Sequence, residues 1–336
     1  MALIGLPDST KRKLGAGYLT RPLIFSAMKK LPPGYTWRRA TREDVDRIAE
    51  LTAAVDVAQG ADPSYRADEI LIDWNRPGFE FDQDSWMFEY EGKLAAYGHL
   101  SPRGDSDLVL MAWTHPNHDQ WALSFSLMSA MEPRAREIAG SSPYKRGVAI
   151  ASEHEEALMA AIEAEGFKPD ALFVEMVMSL DGFQLGDVRL PAGVEIRQLD
   201  PAETREFYDV LVAAFAEHWG AGFAPFDEWL RDVKGLEGYD PALSLVAVDA
   251  GRIVGALFSH VTEELGEIHD IGTLPDHRGR GLGEALMRYG FARLQEKGAT
   301  SARLWVDKGN VTNAIRLYEK VGMSVSRKLH FYAKDL

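Results

Sequence analysis

The sequence predicts an α/β chain of the α+β kind, built as two tandem copies of one strand-and-helix unit. Three observations predict it. Paired landmarks recur at a steady offset: Arg38 and Arg197 lie 159 apart, Pro116 and Pro275 lie 159 apart, and Gly166 and Gly322 lie 156 apart. Each copy closes on a strand whose last leucine, Leu180 or Leu336, stands 14 positions after that glycine. Residues 181–193, marked by glycine and proline, read as a linker between a first copy over 35–182 and a second over 183–336.

The elements follow in the same order in both copies. Trp37-Arg38-Arg39-Ala-Thr41-Arg-Glu-Asp44 opens the first copy as a short strand and a helix capped by Thr41. Ile196-Arg197-Gln-Leu-Asp200-Pro-Ala-Glu203 opens the second with Asp200 as cap. Both are hydroxyl or carboxylate caps followed by first-turn acids, which satisfy the unpaired N–H groups of a helix start. Hydrophobic periodicity then gives one or two helices, a hairpin, a fourth strand, a helix, a strand, a helix and a closing hairpin. In the second copy these fall at 194–199, helices near 201–217 and 225–234, and strands 243–249, 252–262 and 266–274. Helix 281–297, strand 301–307, helix 311–321 and strands after 323 complete it.

Composition bounds the function. At 336 residues the chain can bury large cores, and 46% hydrophobic with 26% charged residues is the balance of a soluble globular protein. No apolar run reaches the roughly 20 residues that span a bilayer, so no membrane partner is expected. Residues 1–34 form an N-terminal extension with Thr10-Lys-Arg-Lys13 but no continuous apolar core, so a cytoplasmic location is expected. That extension is a candidate for bracing the first copy or for a homodimer contact. The chain has no cysteine, which excludes disulfides, thiolate metal sites and a cysteine acyl-enzyme. A formal charge of −14 argues against a nucleic-acid partner. His115 and His118 are close and His269 and His277 flank a turn, but no His-Glu-x-x-His or similar cluster is present, so no metal is expected.

The stretch Leu274-Pro-Asp-His-Arg278-Gly279-Arg280-Gly281-Leu282-Gly283-Glu-Ala-Leu-Met287 lies between an extended segment and a helix. A glycine-rich turn there leaves backbone N–H groups unpaired and aimed outward, a cradle for a phosphate or pyrophosphate. Gly281 and Gly283 allow close backbone approach, and Arg278 adds charge at the rim. A Walker A loop needs Lys-Ser or Lys-Thr where Glu284 and Ala285 stand. The Rossmann fingerprint needs glycine where Glu284 or Leu286 stands. A second segment, Trp305-Val-Asp-Lys-Gly-Asn310-Val-Thr-Asn313-Ala-Ile-Arg-Leu-Tyr318-Glu-Lys-Val-Gly322-Met323, reads as buried strand, loop, helix and glycine stop.

Together, Arg278-x-x-Gly281-x-Gly283 and the Asn/Ala/Leu-Tyr/Gly-Met segment resemble the GNAT superfamily of N-acetyltransferases. The resemblance covers about residues 35–336 and is specific over 266–323. Asn310 precedes Tyr318 by eight positions and Asn313 by five, against the family's usual seven, so both remain candidates for the pantetheine contact. The resemblance implies two tandem folds, each a mixed, mostly antiparallel central sheet flanked by helices. It implies acetyl-CoA as donor, held by Ile271, Gly272 and Thr273 of the fourth strand and by Arg278 to Gly283 of the loop. Transfer to the primary amine of a small molecule, by direct attack, is the expected reaction. A protein or peptide acceptor and a non-catalytic acyl-CoA-binding protein are the alternatives.

The resemblance also gives Tyr318 the role of general acid toward the CoA thiolate. A phenol of reference pKa ~10 is protonated at neutral pH and can donate to a thiolate whose acid lies near ~8.5. Glu267 falls where histone acetyltransferases of the superfamily carry a general base, and His269 where serotonin acetyltransferases carry a catalytic histidine. Strand alternation puts Glu267, His269, Ile271 and Thr273 on one face and Ile268, Asp270 and Gly272 on the other, with Asp270 structural. Glu217 and Trp219, between the first two helices of the second copy, are the acceptor-pocket candidates, while Phe215 and Phe226 read as helix core.

The first copy lacks these features. Asp119 stands where Arg278 is expected, Ala122 for Gly281, Ser124 for Gly283 and Ile162 for Tyr318. Asp119 would repel a pyrophosphate. The first copy is therefore expected to be structural or to shape the acceptor pocket, and an isolated 183–336 fragment to keep CoA binding.

Overall fold

A computed structural model describes residues 31–103, 106–218, 223–309 and 314–336. Their contacts divide into two compact units: one runs to Asp170 and takes in Leu329–Leu336, and the other spans Ala171–Lys328. Among the described residues no helix is long and apolar enough to cross a membrane.

In the first unit, strand β1 (Tyr35–Arg38) pairs antiparallel with β2 (Ser85–Tyr90), β2 with β3 (Lys93–Arg103), and β3 with β4 (Asp107–Thr114). Strand β5 (Arg146–Ser152) runs parallel to β4. Helices α1 (Val45–Ala58), α2 (Ala67–Trp74), α3 (Phe81–Asp84), α4 (Gln120–Ser141) and α5 (Glu156–Ala164) flank the sheet. Trp86, Phe88, Leu100, Leu123, Leu127 and Met131 pack its core.

The second unit repeats the plan. Strands β7 (Val194–Gln198), β8 (Leu245–Asp249), β9 (Arg252–Thr262) and β10 (Leu265–Thr273) are antiparallel in sequence, and β11 (Ser301–Asp307) lies parallel to β10. Helices α6 (Thr204–Phe215) and α7 (Phe226–Gly235) precede the hairpin, α8 (Leu282–Glu296) links β10 to β11, and α9 (Ala314–Lys320) follows β11. Leu282, Ala285, Leu286, Gly290, Phe291 and Leu294 of α8 are buried at three- and four-residue spacing, which lays one apolar stripe of the helix on the sheet. Each leucine and phenylalanine among them contributes about 1.5–3 kcal/mol on burial. Both sheets are thus mixed and mostly antiparallel, flanked by helices.

The duplication is visible in one ion pair. Arg38 donates to both carboxylate oxygens of Asp44, at 2.6 and 2.5 Å, and Arg197 to both of Glu203, at 2.8 and 2.7 Å. In each copy it ties the first strand to the start of the first helix.

The closing strands differ from the hairpins expected from sequence. Each copy ends on one continuous strand, β6 (Lys168–Ser179) and β12 (Ser324–Asp335). Their partners are exchanged with respect to chain order. Residues Phe173–Ser179 of β6 pair antiparallel with β11 in the second unit, while Leu329–Asp335 of β12 pair antiparallel with β5 in the first. The units therefore do not follow a cut near 182. The two closing strands offer the same kind of backbone edge, so chain order alone does not choose between the two pairings.

Candidate active site

Strand β10 carries the candidate residues, and its register decides which side chains meet. Glu267 pairs with His260 and Ile268 with Ser259, but Asp270 pairs with Phe258, so His269 is an extra residue in a β-bulge. The bulge changes the alternation expected from sequence. His260 and Phe258 share one face of β9, so their partners Glu267 and Asp270 share it too. His269 joins them, its ring 4.8 Å from that of His260 and 5.4 Å from that of Phe258. Ile268 and Ile271 turn to the core beneath α8 instead. Asp270 thus stands beside Glu267 and His269, not opposite them, and Ile271 and Thr273 do not share their face. In the first unit β3 and β4 pair from Ala96↔Thr114 to Arg103↔Asp107 without such a shift.

The ladder between β10 and β11 runs from Leu265↔Ser301 to Glu267↔Arg303, and β10 continues along β9 to Thr273. Past Glu267 the two parallel strands part. The β11-facing backbone edge of Ile271, Gly272 and Thr273 lies in that wedge. Gly272 is required by packing on the other side: an added Cβ would lie 2.5 Å from the Cβ of Ala214 on α6.

A glycine-rich turn leads from β10 into α8. Gly279 and Gly281 have φ of +71° and +83°, a region that costs other residues roughly 1–2 kcal/mol, and a Cβ at either would face open space. Gly281 is the N-cap of α8 and supplies no side-chain cap, so the first-turn N–H groups, including those of Leu282 and Gly283, keep their capacity to bind an anion. The first unit closes the same position internally, where Asp119 Oδ1 accepts from the Ala122 N–H at 3.0 Å. Around the open turn, Arg278 donates to Glu217 Oε2 at 2.9 Å and to the Ala214 carbonyl at 3.1 Å. Arg280 and His277 each lie 3.4 Å from Asp249 Oδ2. Glu217 is therefore engaged with the loop cation. Trp219, Asn310 and Asn313 lie outside the described residues.

Helix α9 sits against this turn. Lys320 donates to Glu284 Oε2 at 2.5 Å, and Leu317 packs so closely on Gly283 that a Cβ there would lie 3.0 Å from it. The next residue, Tyr318, is buried in the core cluster that holds Leu282 and Leu286. Burial pushes its phenol up and the nearby Asp270 charge adds to this, so Tyr318 is protonated at neutral pH.

Three ionisable side chains of β10 have different environments. Glu267 Oε2 accepts from buried Arg303 Nη2 at 2.7 Å. Burial would raise its carboxyl, but the Arg303 guanidinium overrides this and holds it well below the usual carboxylate range. Burial drives His269 well below the ordinary imidazole range, leaving it neutral, and its Nε2 has no hydrogen-bond partner among the described residues. Burial pushes Asp270 up to about 6, and its Oδ1 likewise has no such partner.

Sequence reasoning missed Arg303, His260 and Asp270, because only strand register brings the first two against Glu267. The ligand atoms of His260, Glu267 and His269 fall within 4.8 Å of one another, a cluster invisible in the chain. Arg303 already neutralises its single carboxylate, which opposes a cation there. Arg303 is itself held 3.8 Å from Glu175 Oε1 of β6, whose Oε2 accepts from Arg327 Nε at 3.2 Å.

Aromatic rings of α6 and α7 cluster and reach Phe258 of β9. Tyr208 lies 5.4 Å from Phe226, 6.1 Å from Phe223 and 5.2 Å from Trp229, and Trp229 lies 6.5 Å from Phe258. Phe226 belongs to this helix packing, while the Phe215 ring lies tilted against His218 with centroids 4.7 Å apart. Burial lowers the His218 imidazole, with the Arg278 charge contributing.

The model of the acetyltransferase (GNAT) family matches residues 204–323. A mycothiol acetyltransferase of Thermobispora bispora is 36% identical over 303 residues, covering 85% of this chain and 94% of that protein. One from Thermomonospora curvata is 30% identical over 241 residues, covering 70% and 76%. Among solved structures, a GCN5-related N-acetyltransferase from Sphaerobacter thermophilus superposes with a TM-score of 0.76 at 26% identity, covering 91% of this chain and 97% of that one. A tandem GNAT protein from the clavulanic acid biosynthesis pathway gives 0.67 at 15% identity over 90% and 98%, a likeness of fold.

Proposed function

The chain belongs to the acetyltransferase (GNAT) family, and from that premise we propose that it moves the acetyl group of acetyl-CoA to the primary amine of a small molecule, by direct attack in a ternary complex. One observation carries this reading: an uncapped helix N-terminus at Gly281, with buried, protonated Tyr318 next in sequence to the leucine that packs on Gly283. The turn from Arg278 to Gly283 would hold the pyrophosphate through main-chain N–H groups. The pantetheine arm would lie in the wedge along Ile271, Gly272 and Thr273, with Asn310 or Asn313 as its side-chain contact. Seating the phosphate frees Arg278 from Glu217 or shares it between them, which makes donor binding sensitive to salt.

Acyl transfer needs a neutral nucleophile, a polarised carbonyl and a proton for the departing thiolate. Tyr318 supplies the last. Glu267 and His269 line the route of the amine's proton, Glu267 ionised by Arg303 and His269 neutral by burial. The lack of any cysteine supports attack on the thioester without a cysteine-bound intermediate. The relatives' name, mycothiol acetyltransferase, supports a small-molecule acceptor, with Glu217 and Trp219 at its approach. We assign the second unit as catalytic and the first as a scaffold, since Asp119 fills the anion position there and Ile162 replaces Tyr318.

Two measurements test this. CoA at 100 times its dissociation constant should stabilise the protein by about 2.7 kcal/mol, and calorimetry that finds no CoA binding would end the proposal. A panel of small amines, screened for acetyl-CoA-dependent thiol release, should contain an acceptor. Release only with peptides would move the acceptor class to protein.

A further inference from the structure

We infer that Asp270 is the group that first takes the proton of the incoming ammonium, standing between the acceptor and Tyr318. The inference deepens the acetyltransferase reading and rests on it. The bulge at His269 turns Asp270 onto the Glu267 face, where regular alternation would have hidden it on the other side. Four carboxylates are buried in this unit among the described residues. Glu267 lies against Arg303, Glu175 against Arg327 and Asp232 against Arg231, at 2.7, 3.2 and 2.9 Å. Of these, Asp270 alone keeps an oxygen, Oδ1, with no hydrogen-bond partner among the described residues. Burial destabilises this anion and leaves its Oδ1 open, and an arriving ammonium is its complement.

The neighbours favour Asp270 over the two residues singled out from sequence. Glu267 is committed to Arg303, which weakens it as a base. His269 is neutral and next to a second imidazole, His260. From β9 Asp270 meets Phe258 in register, from α9 the charge of Asp270 reaches Tyr318, and α6 presents Ala214 and Phe215 to the adjacent Gly272. A carboxyl raised to about 6 by burial can accept a proton and release it again near neutral pH.

The step balances. The Asp270 carboxylate takes one proton from R–NH3+ and becomes a carboxylic acid. The neutral amine bonds to the thioester carbon, the C–S bond breaks, and the Tyr318 hydroxyl protonates the departing sulfur. The remaining extra proton on nitrogen passes to the tyrosinate, and Asp270 returns its own to water.

Asp270→Asn in the full-length chain tests this with the amine found by the thiol-release screen. The expected result is a fall of about 100-fold in kcat/KM for the amine at pH 7, narrowing as the pH approaches the amine's own pKa, with CoA affinity unchanged. A second readout needs no turnover. A carboxyl raised in the folded state removes stability above pH about 6 and none below its unfolded pKa near ~4. Asp270→Asn should therefore melt above the wild type at pH 8 and with it at pH 4. Wild-type turnover, an equal loss at every pH, or a lower melting temperature at pH 8 would each overturn the proposal. A wild-type protein that binds CoA yet releases no thiol with any amine overturns the acetyltransferase reading itself, and Asp270's role with it.

Discussion

Tyr318 is 7% exposed, shares a core cluster with Leu282 and Leu286, and sits one residue from the leucine that packs on Gly283. Its hydroxyl is the part of the side chain that chemistry would use, and the ring is the part that packs. Tyr318→Phe keeps the ring, so turnover should fall by about 100-fold while acetyl-CoA affinity and melting temperature change little. Steady-state kinetics with isothermal calorimetry would check this, and an unchanged rate removes Tyr318 from the chemistry. The motif made this residue legible in sequence. The ion pair that governs Glu267 was not legible, because Arg303 is 36 positions away and meets it only through parallel pairing of β10 with β11.

Strand β10 and the turn after it carry structural features that their duplicates lack. The bulge at His269 places three ionisable groups on one face, while β4 runs unbroken beside β3. Helix α8 opens on a bare Gly281, while α4 opens on Asp119, which fills its own N-terminus with a carboxylate. Strand β6 contributes Glu175, buried between Arg327 and Arg303. Burial pushes that carboxyl up and the two guanidinium groups pull it back. Glu175→Ala would strip counter-charge from two buried cations and should cost about 3–5 kcal/mol. Urea unfolding measures it directly, and a loss below about 1 kcal/mol would mean that the arginines are satisfied elsewhere.

At the scale of the molecule, the exchange of closing strands changes what a domain of this chain is. An isolated 183–336 fragment, which sequence suggested would retain CoA binding, lacks the β6 residues that pair with β11 from Phe173 to Ser179, and lacks Glu175. It also leaves Leu329–Asp335 without their partner strand β5. The fragment is expected to be unfolded or aggregated and to show no heat with CoA, because it exposes the β11 edge and loses Val174 and Met176 from its core. A folded, CoA-binding 183–336 fragment would show that β6 is dispensable.

The residues alone determined the duplication, the order of strands and helices, the open glycine-rich turn and the helix that carries Tyr318. These are local properties, written in spacing, in glycines that only certain backbones need, and in apolar periodicity. The tertiary structure alone decided that Asp270 faces the same side as Glu267, that Arg303 neutralises that glutamate, and that each unit is completed by the other copy's last strand. Each depends on register between segments far apart in the chain, and register is chosen by the packing of both faces at once, which no single segment encodes.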